Sequence, residues 1–350
     1  MFERRVARKV KIGDIFIGGN EPIAVQSMLN KRSDDFVGSV AQAKELEAAG
    51  CDIIRAAVPD MAAVRLINEL KNAVKIPVVA DIHFDYRLAL ECVAAGVDKI
   101  RINPGNIGSE DRVKAVADAC ANAGVPIRIG VNSGSVEKEI LAKYGSPTPE
   151  AMAESAMYHA SLLEKFDFNN IVISIKSSNV QNTVAAYETV ASMCDYPLHL
   201  GVTEAGTKHM GIIKSAAGIG SLLAHGIGDT IRVSLTDEPV EEIKAGIDIL
   251  KALNLRKNCV EIVSCPTCGR TRINMIEIAG RVTELLSDCN KPLKVAVMGC
   301  AVNGPGEARE ADIGIAGGDG CGLIFKKGEI IRKVSEDKLV EELMNEIEKM

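Results

Sequence analysis

The stretch "TIRVSLT", Thr230–Thr236, alternates apolar and polar residues with a period of two. That is the period of a β-strand, whose side chains point in turn to opposite faces. Ile231, Val233 and Leu235 form one face, and Arg232, Ser234 and Thr236 form the other. In a barrel strand covered by helices the apolar face is the outer one. An arginine would then point into the barrel.

Seven further runs share this character: "IAVQSM", "DIIRAAVP", "IPVVADIHF", "KIRINPG", "PIRIGVNSG", "NIVISIKSS" and "PLHLGVTEAG". An Ala-rich amphipathic helix follows each. Glycines punctuate the helix ends in "EAAGCD", "VAAGVD" and "ANAGVP", where Gly50, Gly96 and Gly124 can take the left-handed conformation that stops a helix. Strands alternating with helices pair in parallel through right-handed crossovers. Eight such units predict an α/β protein built on a closed (β/α)8 barrel; an open doubly wound sheet is the alternative.

The inward register collects Arg55, Asp81, His83, Arg101, Asn103, Arg128, Asn132, Ser174, Lys176 and Arg232. Ordinary barrels are filled by Val, Ile and Leu. Burying unpaired charge costs several kcal/mol per group, so these cations need partners. Internal Arg–Asp bridges are one solution. Few acids share the register, chiefly Asp81 and Glu204, so a bound anion is the other. Guanidinium forks match phosphate oxygens in a bidentate way, and a small metabolite with one or two phosphates fits the strands' C-terminal mouth. Glu204, at the end of the seventh run, is placed for proton transfer to or from a substrate hydroxyl; capping the next helix is its bland alternative.

The whole chain has 350 residues, a formal net charge of -6 and 47% hydrophobic residues. The negative balance argues against a general nucleic-acid or membrane-surface binder. The N-terminus lacks the apolar segment of a signal peptide, and no window reaches the roughly 18 apolar residues of a membrane span. A cytoplasmic protein is expected, its ten cysteines reduced.

Near Lys257 the rhythm changes, which divides the chain into a substrate-binding barrel at 1–256 and a small α+β domain at 257–350. "IVSCPTCGRT" carries Cys265 and Cys268, and Cys300 follows in "MGCAVNGPGE". A zinc ribbon usually has a second Cys-x-x-Cys pair, and none exists here. Cys289 and Cys321 are read as incidental. Cys51, Cys92, Cys120, Cys194 and Cys259 are read as small buried hydrophobes in strands or helices. The tight "NGPG" turn can bring Glu307 back to the same site. Three thiolates and an oxygen ligand suit an iron–sulfur cluster with one distinctive iron. The glycine-rich "GIAGGDGCG" precedes a strand, not a helix, so it reads as a hairpin turn and not a dinucleotide loop.

With these residues in view, the chain resembles the 4-hydroxy-3-methylbut-2-enyl diphosphate synthase family of the methylerythritol phosphate route to isoprenoids, in its short bacterial form. The likeness spans the chain through "VQSM", "ADIHF", "RINPGN", "GVNSGS", "GVTEAG", "SCPTCGR" and "MGCAVNGPGEA". It implies reductive ring opening of a cyclic diphosphate by single electrons passed through a [4Fe–4S] cluster. The cluster ligands would be Cys265, Cys268, Cys300 and Glu307, with Glu307 giving way to a substrate oxygen. It further implies reduced flavodoxin or ferredoxin as donor, and a homodimer in which one subunit's cluster domain faces the other's barrel. On this reading Arg55, Arg101, Arg128 and Lys176 grip the diphosphate, and Asn132, Thr203 and Ser234 add contacts. Asp81 and His83 orient the substrate and Glu204 is the catalytic acid. The competing enzyme is a phosphoester lyase or pterin-type transferase with structural zinc; a non-enzymatic electron carrier would leave the inward arginines unexplained.

Overall fold

The computed structural model describes residues 3–256, 259–287, 289–300 and 308–350. A short antiparallel hairpin, β1 (Val10–Ile12) and β2 (Ile15–Ile17), comes first. Eight strands follow: β3 (Ala24–Met28), β4 (Ile53–Ala57), β5 (Val78–Asp81), β6 (Lys99–Ile102), β7 (Ile127–Asn132), β8 (Ile171–Lys176), β9 (His199–Leu200) and β10 (Thr230–Ile231). They pair in parallel in the order β8-β7-β6-β5-β4-β3-β10-β9. A parallel bridge between Ile173 and Leu198 joins β8 to the start of β9, and the cylinder closes. This is the (β/α)8 barrel that the eight runs predict, not an open sheet.

The helices of this unit are α1 (Phe36–Ala48), α2 (Val64–Ala73), α3 (Tyr86–Ala94), α4 (Glu110–Ala123), α5 (Lys138–Tyr144), α6 (Pro149–Glu164), α7 (Val180–Met193), α8 (Lys208–Ala224) and α9 (Pro239–Ala252). Gly50, Gly96 and Gly124 all have positive φ, as helix-ending residues in these turns require. Outward residues of the strands, such as Ile54, Ile100, Ile129, Ile173 and Ile231, are buried against the helices. Each fully buried aliphatic side chain contributes about 1.5–3 kcal/mol.

The strand ladders are shorter than the sequence runs. The regular register of β10 ends at Ile231; beyond it the Arg232 N–H still donates to Leu200 O at 2.9 Å, while the Leu235 N–H donates to Glu242 Oε1 of α9, at 3.0 Å. The hairpin β1–β2 is a feature that the alternation rule did not single out. Ile12 and Ile17 are fully buried against Ala24, Ile53, Val79 and Val172, the first inward side chains of β3, β4, β5 and β8. The hairpin therefore plugs the N-terminal end of the barrel.

Contacts divide the chain into Met1–Leu255 and Arg256–Met350. The second unit holds one mixed sheet, β11 (Glu261–Ser264), β12 (Lys294–Met298), β13 (Ile313–Gly318), β14 (Cys321–Lys326) and β15 (Glu329–Ser335), in that spatial order. β11, β12 and β13 are parallel; β14 and β15 turn back antiparallel. The glycine-rich turn between β13 and β14 is a hairpin, with Gly320 at φ 65°. Among the described residues, helices α10 (Met275–Leu285) and α11 (Leu339–Glu348) bury Ile278, Val282, Leu339, Leu343 and Ile347 with Val295, Val297, Ile313 and Ile324 of the sheet. Among the described residues no helix is long and apolar enough to cross a membrane.

Candidate active site

Above the plug the barrel interior turns polar. Gln26, Arg55, Asp81, Lys99, Arg101, Arg128, Ser174, His199 and Thr230 are all buried at inward positions, with Lys176 half-buried nearer the mouth. Strand register brings them together: Arg101 lies beside both Asp81 and Arg128, and Asn132 lies beside Lys176.

Internal pairing is real but incomplete. Asp81 accepts from Arg101 Nη1 at 3.1 Å and lies 3.7 Å from Arg55 Nε, with His83 Nε2 at 3.8 Å. Burial opposes ionisation of Asp81, yet Arg55, Arg101 and Arg128 outweigh it and hold the carboxyl down to about 2. Arg232 is paired too, with a partner from outside the strands: Glu242 of α9, at 3.1 Å. Glu242 also accepts from Ser27 Oγ at 3.0 Å.

The remaining positive charge is uncompensated. Among the described residues all three nitrogens of Arg128, the Lys99 ammonium, Nη1 of Arg55 and Nε of Arg101 are buried without a hydrogen-bond partner. Burial first, then mutual repulsion, weakens the hold of these groups on their protons. Arg55 falls to about 10 and Lys176 to about 6, while Lys99, Arg128 and His199 are pushed well below their ordinary values. Unpaired buried groups of this kind each cost several kcal/mol. A site strained in this way is matched to an anion with several oxygens.

The opening at the mouth is lined by Arg55, Ser174, Lys176, Gly201, Thr203, Arg232 and Ser234 among others. His83 stands at the rim, 56% exposed. Thr203 donates its backbone N–H to Ser177 O at 3.3 Å, which anchors the segment after β9. Glu204, next in the chain, is exposed and sits in the left-handed region at φ 52°. The N-cap of α8 is Thr207, so Glu204 is not the capping residue. Strained backbone of this kind is found at functional sites. Alternation identified the arginines, but Gln26, Lys99, His199 and Glu242 were missed. Lys99 and His199 share the inward register of "KIRIN" and "HLGVT" and were legible there. Glu242 gave no sign, because its helix meets the strand only in the fold.

In the second unit Cys265 and Cys300 follow the C-terminal ends of the adjacent parallel strands β11 and β12. The Gly299 N–H donates to Cys265 Sγ at 3.1 Å, and the Arg272 N–H donates to Gly299 O at 2.9 Å, so the Cys265–Arg272 loop is tied to the chain beside Cys300. Cys268 is exposed, and its thiol is shifted toward the thiolate by hydrogen bonds from the Arg270 backbone and side chain. Glu307 lies outside the described residues. Among those described, no group of three Cys, His, Asp or Glu side chains converges closely enough for one metal ion. Cysteine thiolates are the donors that iron–sulfur clusters take.

The other cysteines follow burial. Cys51, Cys92 and Cys120 are buried, and burial pushes each up to about 12. Cys194 and Cys259 are only partly buried, and Cys259 precedes β11 instead of lying in a strand.

Comparison with known proteins extends over both units. A profile described as the GcpE TIM-barrel domain matches residues 7–247, and one described as the GcpE protein C-terminal domain matches residues 261–349. The 4-hydroxy-3-methylbut-2-en-1-yl diphosphate synthase (flavodoxin) of Ruminiclostridium cellulolyticum is 61% identical over 348 residues, covering 99% of each chain. The proteins of that name from Clostridium perfringens and Geobacillus thermodenitrificans are 60% and 54% identical, covering 99% and 100% of this chain and 99% and 94% of theirs. Among solved structures, 3-dehydroquinate dehydratase from Geobacillus kaustophilus superposes with a TM-score of 0.52 at 15% identity, over 71% of this chain and 98% of its own. Dihydropteroate synthase from Stenotrophomonas maltophilia gives 0.51 at 16%, over 67% and 92%. Those two likenesses show the barrel fold alone. The chain belongs to the GcpE family, the 4-hydroxy-3-methylbut-2-en-1-yl diphosphate synthases.

Proposed function

We infer that the chain catalyses reductive ring opening and dehydroxylation of 2-C-methyl-D-erythritol 2,4-cyclodiphosphate, giving 1-hydroxy-2-methyl-2-butenyl 4-diphosphate. The observation that carries this reading is the surplus of buried, unpartnered cations in a barrel closed at its lower end. A cyclic diphosphate supplies two anionic phosphoryl groups of a size suited to that interior. The family relationship does not favour the lyase or pterin-type transferase with structural zinc.

The roles follow from position. Arg55, Arg101, Arg128 and Lys176 hold the phosphoryl oxygens, and Asn132, Thr203 and Ser234 complete the grip at the mouth. As the ring carbon–oxygen bond breaks, negative charge collects on a phosphate oxygen, where fixed cations stabilise it without reorganisation. Glu204, on its strained turn, donates the proton that lets the C3 hydroxyl depart as water. Asp81 stays ionised and, with His83, orients that hydroxyl. Cys265, Cys268, Cys300 and Glu307 would hold a [4Fe–4S] cluster, which supplies the two electrons one at a time.

The relatives' name includes flavodoxin, and reduced flavodoxin or ferredoxin is the donor we propose here. Val37, at the start of α1, and Met61 and Phe84, in the loops that follow β4 and β5, lie beyond the C-terminal ends of their strands and are 84%, 53% and 74% exposed. Such an apolar rim supports a homodimer in which the cluster domain of a second copy covers the mouth and keeps water out. The reduced cysteines fit the cytoplasm.

The test is anaerobic purification, assay of iron and labile sulfide, and turnover of the cyclic diphosphate with reduced flavodoxin. A brown protein bleached by dithionite and active on that substrate is expected, with the colour lost in Cys300→Ser. A colourless, zinc-containing protein without turnover would overturn the reading.

A further inference from the structure

One buried histidine belongs to none of these roles. His159, in α6 outside the barrel, is fully buried. Its Nδ1 accepts the backbone N–H of Gly105, at 3.3 Å, in the turn that follows β6. Its Nε2 lies 2.6 Å from Glu137 Oε1, just ahead of α5 in the segment that follows β7, with the oxygen off the ideal N–H direction.

A peptide N–H can only donate, so Nδ1 is assigned as the acceptor and the ring proton to Nε2, on the side of the carboxylate. Burial of Glu137 disfavours its charged form, but contacts with His159 and Ser155 outweigh that and hold its carboxyl below the ordinary range. The imidazole also fills the space where a side chain at Gly105 would go. A Cβ at that position would lie 2.6 Å from His159 Cε1, so the turn fits only as glycine.

The two segments so joined carry amides to the barrel mouth. Asn103 ends the inward register of β6, and its Oδ1 shares the Gly105 N–H at 3.2 Å. Its Nδ2 is buried with no partner among the described residues, a donor left for an incoming oxygen. Asn132 ends β7 beside Lys176. We propose that His159 and Glu137 are positioning residues that lock the turns after β6 and β7 together from behind, and so fix where Asn103 and Asn132 present their amides to the diphosphate.

This inference rests on the functional reading above. The test compares wild-type holoenzyme with Glu137→Ala, Glu137→Gln and His159→Phe. It reads kcat and KM for the cyclic diphosphate, its Kd by calorimetry, cluster content and melting temperature. Glutamine keeps an acceptor oxygen for Nε2–H, and phenylalanine keeps the packing volume without the polar contacts.

Misplacing contacts by about an ångström costs up to ~100-fold. Glu137→Ala and His159→Phe should therefore raise KM and Kd by roughly 10- to 100-fold, with a smaller change in kcat and unchanged cluster content. Glu137→Gln should stay near wild type. Should His159→Phe fail to fold, the two Glu137 variants decide. Unchanged KM and Kd in Glu137→Ala, losses that merely follow melting temperature, or a Glu137→Gln as impaired as Glu137→Ala would each overturn the proposal. A wild-type enzyme that neither binds nor converts the cyclic diphosphate would bring down the functional reading, and this inference with it.

Discussion

Lys176 offers a quantitative test of anion binding in the barrel. Burial, then repulsion from Arg55, Arg101 and Arg128, lowers its ammonium from the ordinary 10.5 to about 6 in the unliganded chain, with Asp81 giving partial relief. At pH 8 the side chain is then charged in about one molecule in a hundred, and charging it costs roughly 2.7 kcal/mol. A bound diphosphate cancels the repulsion and restores the charge. Binding above pH 6 therefore takes up a proton, and affinity falls as pH rises. From this group alone the loss between pH 6 and pH 8 is about 50-fold, approaching 1.4 kcal/mol per unit at the upper end.

Folding has the opposite slope. The unfolded chain binds the Lys176 proton between about pH 6 and 10.5 while the unliganded fold does not, so stability rises with pH across that window. Calorimetry in buffers of different ionisation heats reads the proton uptake directly. Lys99 and His199 are also depressed and face the same interior, so the comparison needed is wild type against Lys176→Met. The variant should lose about one proton of uptake and the matching part of the affinity slope. A pH-independent wild-type Kd, or an equal slope in the methionine variant, would refute the reasoning.

Arg128→Met should stabilise the unliganded protein by about 1–4 kcal/mol, since it removes a buried guanidinium without a hydrogen-bond partner among the described residues. It should also weaken cyclic diphosphate binding by about 2–5 kcal/mol, measured by denaturation and calorimetry; a less stable variant with intact affinity would contradict both. Glu242→Ala leaves Arg232 and the Leu235 N–H without their carboxylate and should cost about 3–5 kcal/mol in denaturant unfolding. In Gly130→Ala the new methyl would lie 2.8 Å from Arg101 Cζ, so the guanidinium must shift from Asp81. A raised KM with little change in melting temperature is expected; unchanged kinetics would show that Arg101 is free to move.

Eight short apolar runs were enough to identify eight strands, and alternation in those such as "TIRVSLT", "KIRIN" and "IRIGVN" identified their helix-facing sides and most of the cations inside. That information is local, because a side chain's face is decided by its parity along its own strand. The cysteine spacing and the motifs that mark the family were legible for the same reason. Pairing was not. Three arginines read alike in sequence have different fates: Arg101 meets Asp81 of the neighbouring strand, Arg232 meets Glu242 from a helix, and Arg128 meets no hydrogen-bond partner among the described residues. The plug formed by Ile12 and Ile17, and the His159 link between two turns, likewise join residues far apart in the chain. Parity determines which residues enter the barrel. Only tertiary packing determines which charges find each other there and which are left over.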